Sequence, residues 1–301
     1  MPTSSRATLK LILAFAAVYL IWGSTYLAIR IAIETIPPFI MAGVRFVLAG
    51  SLLYGWQRLS GAAAPARLHW RSAAIIGGLL LLGGNGGVTW AEQEVPSGLA
   101  ALVIATVPIW IVVYSALRPG SPRPGRRTLF GVLLGLAGIA LLIGPANLGA
   151  TAGIRPISFV VLLISPALWA LGSLYSRTAK LPAAPLLGIG MEMLSGGALL
   201  LLAATLSGEW GTFDPTTIST RSLLAFLYLV FIGALVGYSA YIWLLQNTTP
   251  AKATTYAYVN PVVAVFLGWA LAAEPVTPLM LLASAVILFS VALISGMRLR
   301  R

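Results

Sequence analysis

The sequence predicts an all-α membrane protein in which ten transmembrane helices form two inverted five-helix repeats. Three observations support this: an apolar composition, ten long apolar stretches separated by short loops, and residues that recur between the two halves. Of the 301 residues, 59% are hydrophobic and 9% charged, and the mean hydropathy is +0.94. A soluble domain normally carries about a quarter charged residues, whereas lipid solvates apolar side chains directly.

The composition also restricts the chemistry that this chain can perform. It has no cysteine, which excludes disulfides, thiol catalysis and thiolate metal sites. The one histidine, His69, stands in a polar stretch and is expected to be solvated. The net charge of +12 is divided into clusters between apolar spans, which is typical of topology determinants and not of a nucleic-acid surface. We therefore expect no cofactor, no metal site and no nucleic-acid partner.

Ten stretches reach the roughly 20 apolar residues that a transmembrane helix needs. They are Leu9–Ile29, Pro38–Trp56, Ser72–Trp90, Gly98–Leu117, Thr128–Gly144, Ile157–Tyr175, Pro185–Leu206, Leu223–Leu245, Ala253–Ala272 and Pro278–Met297. The first has no clear small-residue cleavage site and is expected to remain as a helix. The loops between the stretches are too short for a nucleotide-binding domain and contain no phosphate-binding Gly-rich motif.

The basic residues predict the orientation of the chain. When the loops are assigned alternately to two sides, fifteen Lys and Arg residues fall on one side and only Arg30, Arg155 and Arg221 on the other. Lys and Arg are enriched in cytoplasmic loops. We therefore expect a multi-pass protein of the cell inner (cytoplasmic) membrane with both termini in the cytoplasm.

The two halves of the chain resemble each other. The run Gly23-Ser24-Thr25-Tyr26 recurs as Gly172-Ser173-Leu174-Tyr175. Further matched pairs, at offsets of 147 to 153, are Trp22 and Trp169, Pro38 and Pro185, Arg45 and Glu192, Asn85 and Tyr238, Trp90 and Trp243, and Pro108 and Pro261. Because five helices is an odd number, the second repeat (147–301) must be inverted relative to the first (1–146). Inverted repeats are common in secondary transporters, whose substrate sites lie near mid-membrane.

The chain resembles the EamA-type branch of the drug/metabolite transporter superfamily. The similarity rests on Trp22-Gly23-Ser24-Thr25-Tyr26, on Arg45-Phe46, and on the segments that lead into Pro108 and Pro261. It covers essentially the whole chain, although Asn260 precedes Pro261, and Glu274-Pro275 replaces a common Gly-Glu. The resemblance implies a ten-helix exporter of metabolites, a group whose members move amino acids, including aromatic ones, and other small organic compounds.

Two charges lie well inside predicted spans, Arg45 and Glu192, and intramembrane charges are functional candidates by default. Arg45 is expected either to orient a substrate carboxylate or to pair with Glu34, Glu92 or Glu94 and fix helix 2. Glu192 either couples transport to protons or points to the cytoplasmic interface. Inversion places the two charges at different depths, so a direct salt bridge between them is not expected.

Polar and aromatic residues within the spans form the predicted substrate site. They are Trp22, Ser24, Tyr26, Asn85, Trp90, Trp169, Ser173, Tyr238, Tyr241, Tyr258 and Asn260. Such a lining suits an amphipathic solute, although Trp and Tyr also occur at membrane interfaces and polar groups also join helices. Helices 1, 3, 4, 6, 8 and 9 are expected to line the path. Helices 5 and 10 are expected to act as scaffold, with Gly131-x-x-x-Gly135 packing between them.

These features favour a secondary transporter that exports small amphipathic metabolites, amino acids and aromatic ones among them, by alternating access through a central cavity. The alternatives are a lipid-handling carrier and a membrane receptor that transports nothing. An enzyme is not expected, because no intramembrane His or Lys can activate a serine. The expected partners are a small-molecule substrate and membrane lipids. A monomer is expected, with a homodimer left open.

Overall fold

The computed structural model describes residues 5–117, 125–143, 154–248, 253 and 255–294. Within these ranges the regular structure is helical, without strands. The ten long helices are α1 (Ser5–Ala32), α2 (Pro38–Leu59), α3 (Arg67–Ala91), α4 (Ser97–Ala116), α5 (Arg126–Ile143), α6 (Pro156–Ser176), α7 (Pro185–Leu206), α8 (Thr220–Asn247), α9 (Tyr256–Ala272) and α10 (Pro278–Ile294). The predicted all-α class is confirmed. The predicted repeat boundary at 146/147 lies outside the described residues and stays a prediction.

Helix length and composition agree with a membrane protein. Seven helices (α1 to α4 and α6 to α8) are long and apolar enough to cross a membrane. The apolar parts of α9 and α10 are shorter, Val259–Ala272 and Pro278–Ser290. Four of the helices (α2, α6, α7 and α10) begin with proline, which fits the first helical position because the amide hydrogen it lacks would have no intrahelical partner there.

The structure corrects the predicted start of α3. This helix begins at Arg67 and not at Ser72. His69 therefore lies in the first helical turn and not in a loop, and its Nδ1 accepts a hydrogen bond of 3.2 Å from the Ala66 amide. The apolar pattern missed this turn because its polar side chains can extend towards water while the backbone is already helical.

The helix ends define two faces of the molecule. On the N-terminal face, α1 begins and α6 ends at Ser176. On the distal face, α1 ends at Ala32 and α2 begins at Pro38. Successive helices joined by short loops alternate between these faces. Because each repeat has five helices, the second repeat starts from the face opposite to the first.

Four glycines bring α2 and α7 into close contact. Gly43 and Gly50 on α2, like Gly190 and Gly197 on α7, are seven residues apart and so lie on one helix face. A Cβ at Gly50 would lie 2.9 Å from the Gly190 carbonyl oxygen, and one at Gly197 would lie 3.0 Å from that of Gly43. The two contacts are equivalent because Gly43 matches Gly190 and Gly50 matches Gly197 at the offset of 147. This reciprocal contact fits the inverted symmetry that the sequence predicted.

The α3 and α8 helices share an unusual backbone feature. Each contains a ten-residue π-helical stretch, Gly77–Gly86 in α3 and Leu229–Tyr238 in α8. The two stretches occupy matched positions, because Asn85 lies in the last turn of the first and its partner Tyr238 ends the second. π-Helical turns are rare and occur frequently at functional sites.

The α5 and α10 helices pack against each other, as expected. A Cβ at Gly138 of α5 would lie 2.7 Å from the Ile287 side chain of α10. A Cβ at Gly135 would likewise lie 2.5 Å from the Ser290 hydroxyl oxygen of α10. Small residues on α5 therefore allow the close approach that the glycine motif predicted.

Candidate functional site

A cavity lies between the two repeats. Residues from α1, α2, α3, α4, α6, α8 and α9 form its wall, and the space open to water-sized molecules is about 60 Å³. All six helices expected to line the path contribute to it. The α2 helix, which was not included in that expectation, adds Arg45 and Phe46.

Arg45 contributes a buried cation to the cavity wall. Its side chain is 4% exposed, its Nη2 donates a 3.2 Å hydrogen bond to Asn85 Oδ1, and its guanidinium carbon lies 4.2 Å from the centre of the Phe46 ring. Its Nε and Nη1 have no hydrogen-bond partner. Arg45 thus lines the cavity, and two of its buried donor nitrogens remain without a partner.

The carboxylates considered as partners of Arg45 lie elsewhere or make no hydrogen bond. Glu34 pairs with Arg221, and Glu94 pairs with Arg155. Glu92 is fully buried, and neither of its carboxylate oxygens has a hydrogen-bond partner. Its charge acts on Arg45 electrostatically, but among the described residues the two form no ion pair.

Four aromatic residues, Trp22, Trp169, Tyr241 and Tyr256, form what we call the aromatic cluster. Ring centres lie 5.4 Å apart between Trp22 and Trp169, 4.8 Å between Trp22 and Tyr241, and 5.6 Å between Tyr241 and Tyr256. The Tyr241 hydroxyl accepts a 3.2 Å hydrogen bond from Trp169 Nε1 and shares one of 2.8 Å with Ser173. Trp22, Trp169 and Tyr256 line the cavity. Tyr241 does not line it, but its ring contacts all three.

Glu192 and Tyr238 form the counterpart of the Arg45–Asn85 pair. The Tyr238 hydroxyl donates a 2.9 Å hydrogen bond to Glu192 Oε2. Glu192 is fully buried, and its Oε1 has no hydrogen-bond partner. Arg45 and Glu192 each bond a residue of a π-helical stretch in their own repeat and not each other, in line with their expected difference in depth.

The predicted site residues do not all reach the cavity. Trp22, Tyr26, Asn85, Trp169 and Tyr238 line it. Ser173 and Tyr241 do not, but they are bonded to each other, and Tyr241 is bonded to Trp169 of the cavity wall.

Three other predicted residues do not line the cavity. Ser24 shares a 2.6 Å hydrogen bond with the Tyr228 hydroxyl and so faces α8. Trp90 lies at the distal end of α3, with the Arg155 guanidinium 5.5 Å from its ring centre. Asn260 is 2% exposed, and its amide has no hydrogen-bond partner. The Tyr258 side chain lies outside the described part of the chain.

Two glycines that were not among the predicted site residues pack against the tryptophans of the cavity. A Cβ at Gly84 would lie 2.6 Å from the Trp169 ring, and one at Gly237 would lie 2.7 Å from Trp22 Nε1. Each tryptophan thus packs on a glycine of the other repeat. The signal was present in the sequence, because Gly84 and Gly237 are separated by the same offset of 153 as Asn85 and Tyr238.

Acidic residues join the two repeats at the distal face. Glu209, which follows α7, accepts a 2.9 Å hydrogen bond from the Ile40 amide at the start of α2. Glu274, which follows α9, accepts one of 2.9 Å from the Ser97 amide at the start of α4. A carboxylate is favourable at a helix N-terminus because it accepts from unpaired amides and complements the helix dipole.

Glu94 makes a third connection, from the first repeat to the start of α6. It accepts hydrogen bonds of 2.7 Å from the Ser158 hydroxyl and 3.0 Å from the Arg155 amide. These bonds, that from Ser158 first, lower the pKa of Glu94 below its ordinary value of 4.5. Burial instead raises the pKa of Glu209, although the Ile40 and Phe39 amides oppose the shift.

Comparison with known proteins agrees with this architecture. The uncharacterized inner membrane transporter YedA of Escherichia coli K12 is 43% identical to this chain over 96% of it and 92% of YedA. The probable amino-acid metabolite efflux pump of Salmonella typhimurium LT2 is 24% identical over 94% of each protein. One crystal structure matches with a TM-score of 0.64 at 20% identity and covers 95% of this chain and 96% of that one, which supports the fold alone.

The family comparison covers nearly the whole chain and finds the repeat. The EamA-like transporter family matches residues 9–144 and again residues 156–296. Each match contains five of the helices described above. This chain therefore belongs to the EamA-like transporter family of the drug/metabolite transporter superfamily.

Proposed function

We propose that this protein is a secondary transporter that exports small amphipathic metabolites, with amino acids, including aromatic ones, as the substrate class. Arg45 carries the proposal, because it lines the same cavity as the aromatic cluster and two of its donor nitrogens have no partner in the protein. A substrate carboxylate can accept charge-assisted hydrogen bonds from such a guanidinium. An apolar or aromatic substrate body can pack against the rings of Trp22, Trp169 and Tyr256.

Membership of a transporter family and the names of relatives support the same class. YedA is named an uncharacterized inner membrane transporter, and the Salmonella relative is named a probable amino-acid metabolite efflux pump. The excess of basic residues on one side supports an orientation in which the N-terminal face is cytoplasmic. Export then moves solute from the N-terminal face to the distal face.

The cavity must widen during transport, which supports alternating access. A bound water needs about 10–15 Å³ of such space, so about 60 Å³ holds a few waters and not an amino acid. The two inverted repeats supply one closure for each face. In this proposal the aromatic cluster closes one side of the cavity. The contacts of Glu209, Glu274 and Glu94 between the repeats restrain opening at the distal face.

The test is flux through proteoliposomes that contain the purified protein, with labelled phenylalanine compared with phenylalaninamide, which lacks the carboxylate. Arg45→Gln should lower saturable phenylalanine flux about tenfold or more, since a hydrogen bond to a charged group contributes about 1.5–3 kcal/mol. Flux of the amide should not change. Arg58→Gln is the matched control, because Arg58 is an exposed arginine at the end of the same helix.

Lipid transport is the outcome that would replace this proposal. If wild-type protein moves no amino acid but transfers labelled lipid between leaflets, the lipid-handling alternative is correct. If neither solute nor lipid moves, the receptor alternative gains support. An equal loss of acid and amide flux in Arg45→Gln would show that the arginine fixes the fold and does not recognise a carboxylate.

A further inference from the structure

A second cavity, separate from the central one, reaches Glu192 from the N-terminal face. It has a volume of about 340 Å³, and its polar wall includes Ser176, Arg177, Gln246 and Glu192. Arg177 and Gln246 are exposed, so this space, which we call the vestibule, is continuous with the surface where α6 ends. The vestibule therefore ends at Glu192, whose side chain is itself fully buried.

Glu192 and Tyr238 connect the vestibule to the central cavity. Glu192 forms part of the vestibule wall, and Tyr238 forms part of the central cavity wall. The 2.9 Å hydrogen bond from the Tyr238 hydroxyl to Glu192 Oε2 joins them. Tyr241, one turn further along α8, lines neither cavity, and its hydroxyl is bonded to Ser173 and Trp169. The Glu192–Tyr238 contact is therefore a polar connection across the protein that separates the two cavities, which we call the barrier.

No cation compensates the Glu192 carboxylate in the described part of the structure. On α2, Arg45 bonds Asn85 of α3, and the Tyr54 backbone lies beside Gly190 of α7. The α8 helix contributes Tyr238. The α3 helix approaches with the Gly77 backbone, while Arg67 and Arg71 in its first turns are exposed and His69 is half-buried. The segment after α6 contributes Arg177 at the vestibule wall without an ion pair. Glu209 follows the C-terminal end of α7, whereas Glu192 lies near its start. An ionised carboxylate buried without a cation is costly, and binding a proton removes that charge.

We propose that Glu192 is the proton-binding site that couples transport to a proton gradient, with Tyr238 as the relay to the central cavity; this rests on the proposed function. A hydronium ion in the central cavity gives its proton to the Tyr238 oxygen while the Tyr238 hydroxyl proton moves to Glu192 Oε2. The carboxyl later releases its proton to water in the vestibule. One proton has then crossed the barrier, and nothing is oxidised or reduced.

The proton also changes the contact that closes the barrier. With Glu192 ionised, the Tyr238 hydroxyl makes a charge-assisted hydrogen bond, which is about twice as strong as a neutral one. Protonation weakens that bond and frees α8 to move away from α7, which opens the central cavity to the vestibule. Release of the proton restores the bond. This sequence exchanges outward solute for inward protons.

The experiment uses proteoliposomes with labelled phenylalanine and a pH-sensitive dye inside. Exchange of labelled for unlabelled solute at equal pH reports transport itself, and flux under an imposed pH gradient reports coupling.

Wild-type protein should move solute several-fold faster when protons flow the opposite way. Glu192→Gln should keep the exchange and lose both the acceleration and the proton flux. Tyr238→Phe should lower the ratio of proton flux to solute exchange, because it removes the relay hydroxyl. Glu34→Gln, a matched control at an exposed carboxylate, should behave as wild type.

The outcomes separate the two proposals. If wild-type exchange is not accelerated by the gradient, or if Glu192→Gln still is, coupling through Glu192 is wrong while the transporter stands. If no solute exchanges at all, the proposed function fails, and infrared difference spectra then test Glu192 alone. A carboxyl C=O band that changes with pH and disappears in Glu192→Gln supports the proton site, and the lack of one overturns it. Should Glu192→Gln fail to fold, Tyr238→Phe carries the same test.

Discussion

In the first repeat, Arg45 on α2 bonds Asn85 in the π-helical stretch of α3. In the second repeat, Glu192 on α7 bonds Tyr238 in the π-helical stretch of α8. The two contacts have the same backbone arrangement: α2 corresponds to α7, α3 corresponds to α8, and each contact reaches a π-helical stretch. The chemistry is opposite, since a guanidinium stays protonated at all physiological pH values, whereas a carboxyl can gain and lose a proton.

This difference indicates a division of labour between two copies of one design. A permanent cation with free donors suits recognition of a substrate anion, and a buried carboxyl that meets two cavities suits proton exchange. The shared backbone holds both groups near the same central space.

The largest effect is expected at the glycine contact between α2 and α7. Gly50→Leu would force a side chain against the α7 backbone, where even a Cβ would lie 2.8 Å from the Leu194 amide nitrogen. Overpacking costs about 1–3 kcal/mol in adaptable cores, and a backbone obstacle should exceed that range. The expected result is little or no folded protein by size-exclusion chromatography in detergent.

Two further variants make this prediction specific. Gly197→Leu changes the matched residue of the second repeat and should be equally damaging. Gly55→Leu, on the same helix as Gly50, meets nothing within 4 Å and should fold as wild type. Normal folding of Gly50→Leu would show that the reciprocal contact does not hold the repeats together.

The two tryptophans of the aromatic cluster should come next. Trp22→Ala and Trp169→Ala each remove a partly buried ring that packs on a glycine of the other repeat, and truncation of a core tryptophan costs up to about 3–5 kcal/mol. Each variant should lower the midpoint of thermal unfolding and the phenylalanine flux by similar amounts. Trp210→Ala, at a 47% exposed position, is the control. A large effect from only one tryptophan would break the symmetry.

The matched partners Asn85 and Tyr238 test the division of labour directly. Asn85→Ala removes the bond that positions Arg45 and should weaken apparent phenylalanine affinity about tenfold, with the gradient response retained. Tyr238→Phe should retain that affinity and lose gradient response. Saturation curves at equal pH, and again under a pH gradient, separate the two effects. The same phenotype in both variants would contradict a difference in role.

A smaller, pH-dependent effect is expected at Glu94. Its hydrogen bonds lower its pKa, so its stabilisation is present above its ordinary value of 4.5 and is lost as pH falls through the lowered value. At this partly exposed site the effect should stay below about 1 kcal/mol. Thermal unfolding of Glu94→Gln should lie below wild type near neutral pH and converge with it in acid. A difference that grows in acid would have the wrong sign.

The smallest effect is expected for the Arg221–Glu34 salt bridge, which also joins the two repeats at the distal face. Its atoms lie 3.3 Å apart, and the side chains are 55% and 41% exposed. Exposed pairs contribute about 0–1 kcal/mol. Arg221→Gln should shift thermal unfolding by about a degree or two. A shift as large as that of either tryptophan variant would show that this bridge has a structural role.

The sequence was sufficient for the helices, the inverted repeat, and the matched pairs Arg45 with Glu192 and Asn85 with Tyr238. It did not reveal that Asn85 bonds Arg45, because that contact depends on how α2 and α3 are placed side by side. It also did not show that Ser24 and Trp90 lie away from the cavity. Membrane helices that are apolar all round carry little information about which face turns inward. The start of α3 was missed because polarity there marks the membrane boundary and not the end of the helix.

The reciprocal packing of Trp169 on Gly84 and of Trp22 on Gly237 bears on the ancestry of this protein. An isologous contact in a two-fold dimer pairs residue i with residue j and, by symmetry, j with i. Two separate five-helix chains of opposite orientation, each with one such tryptophan and one such glycine, would make both contacts from a single pair of residues. Fusion of the two genes would retain that interface intact. It would also free each half to change alone, which is the step needed before one copy can hold an arginine and the other a glutamate.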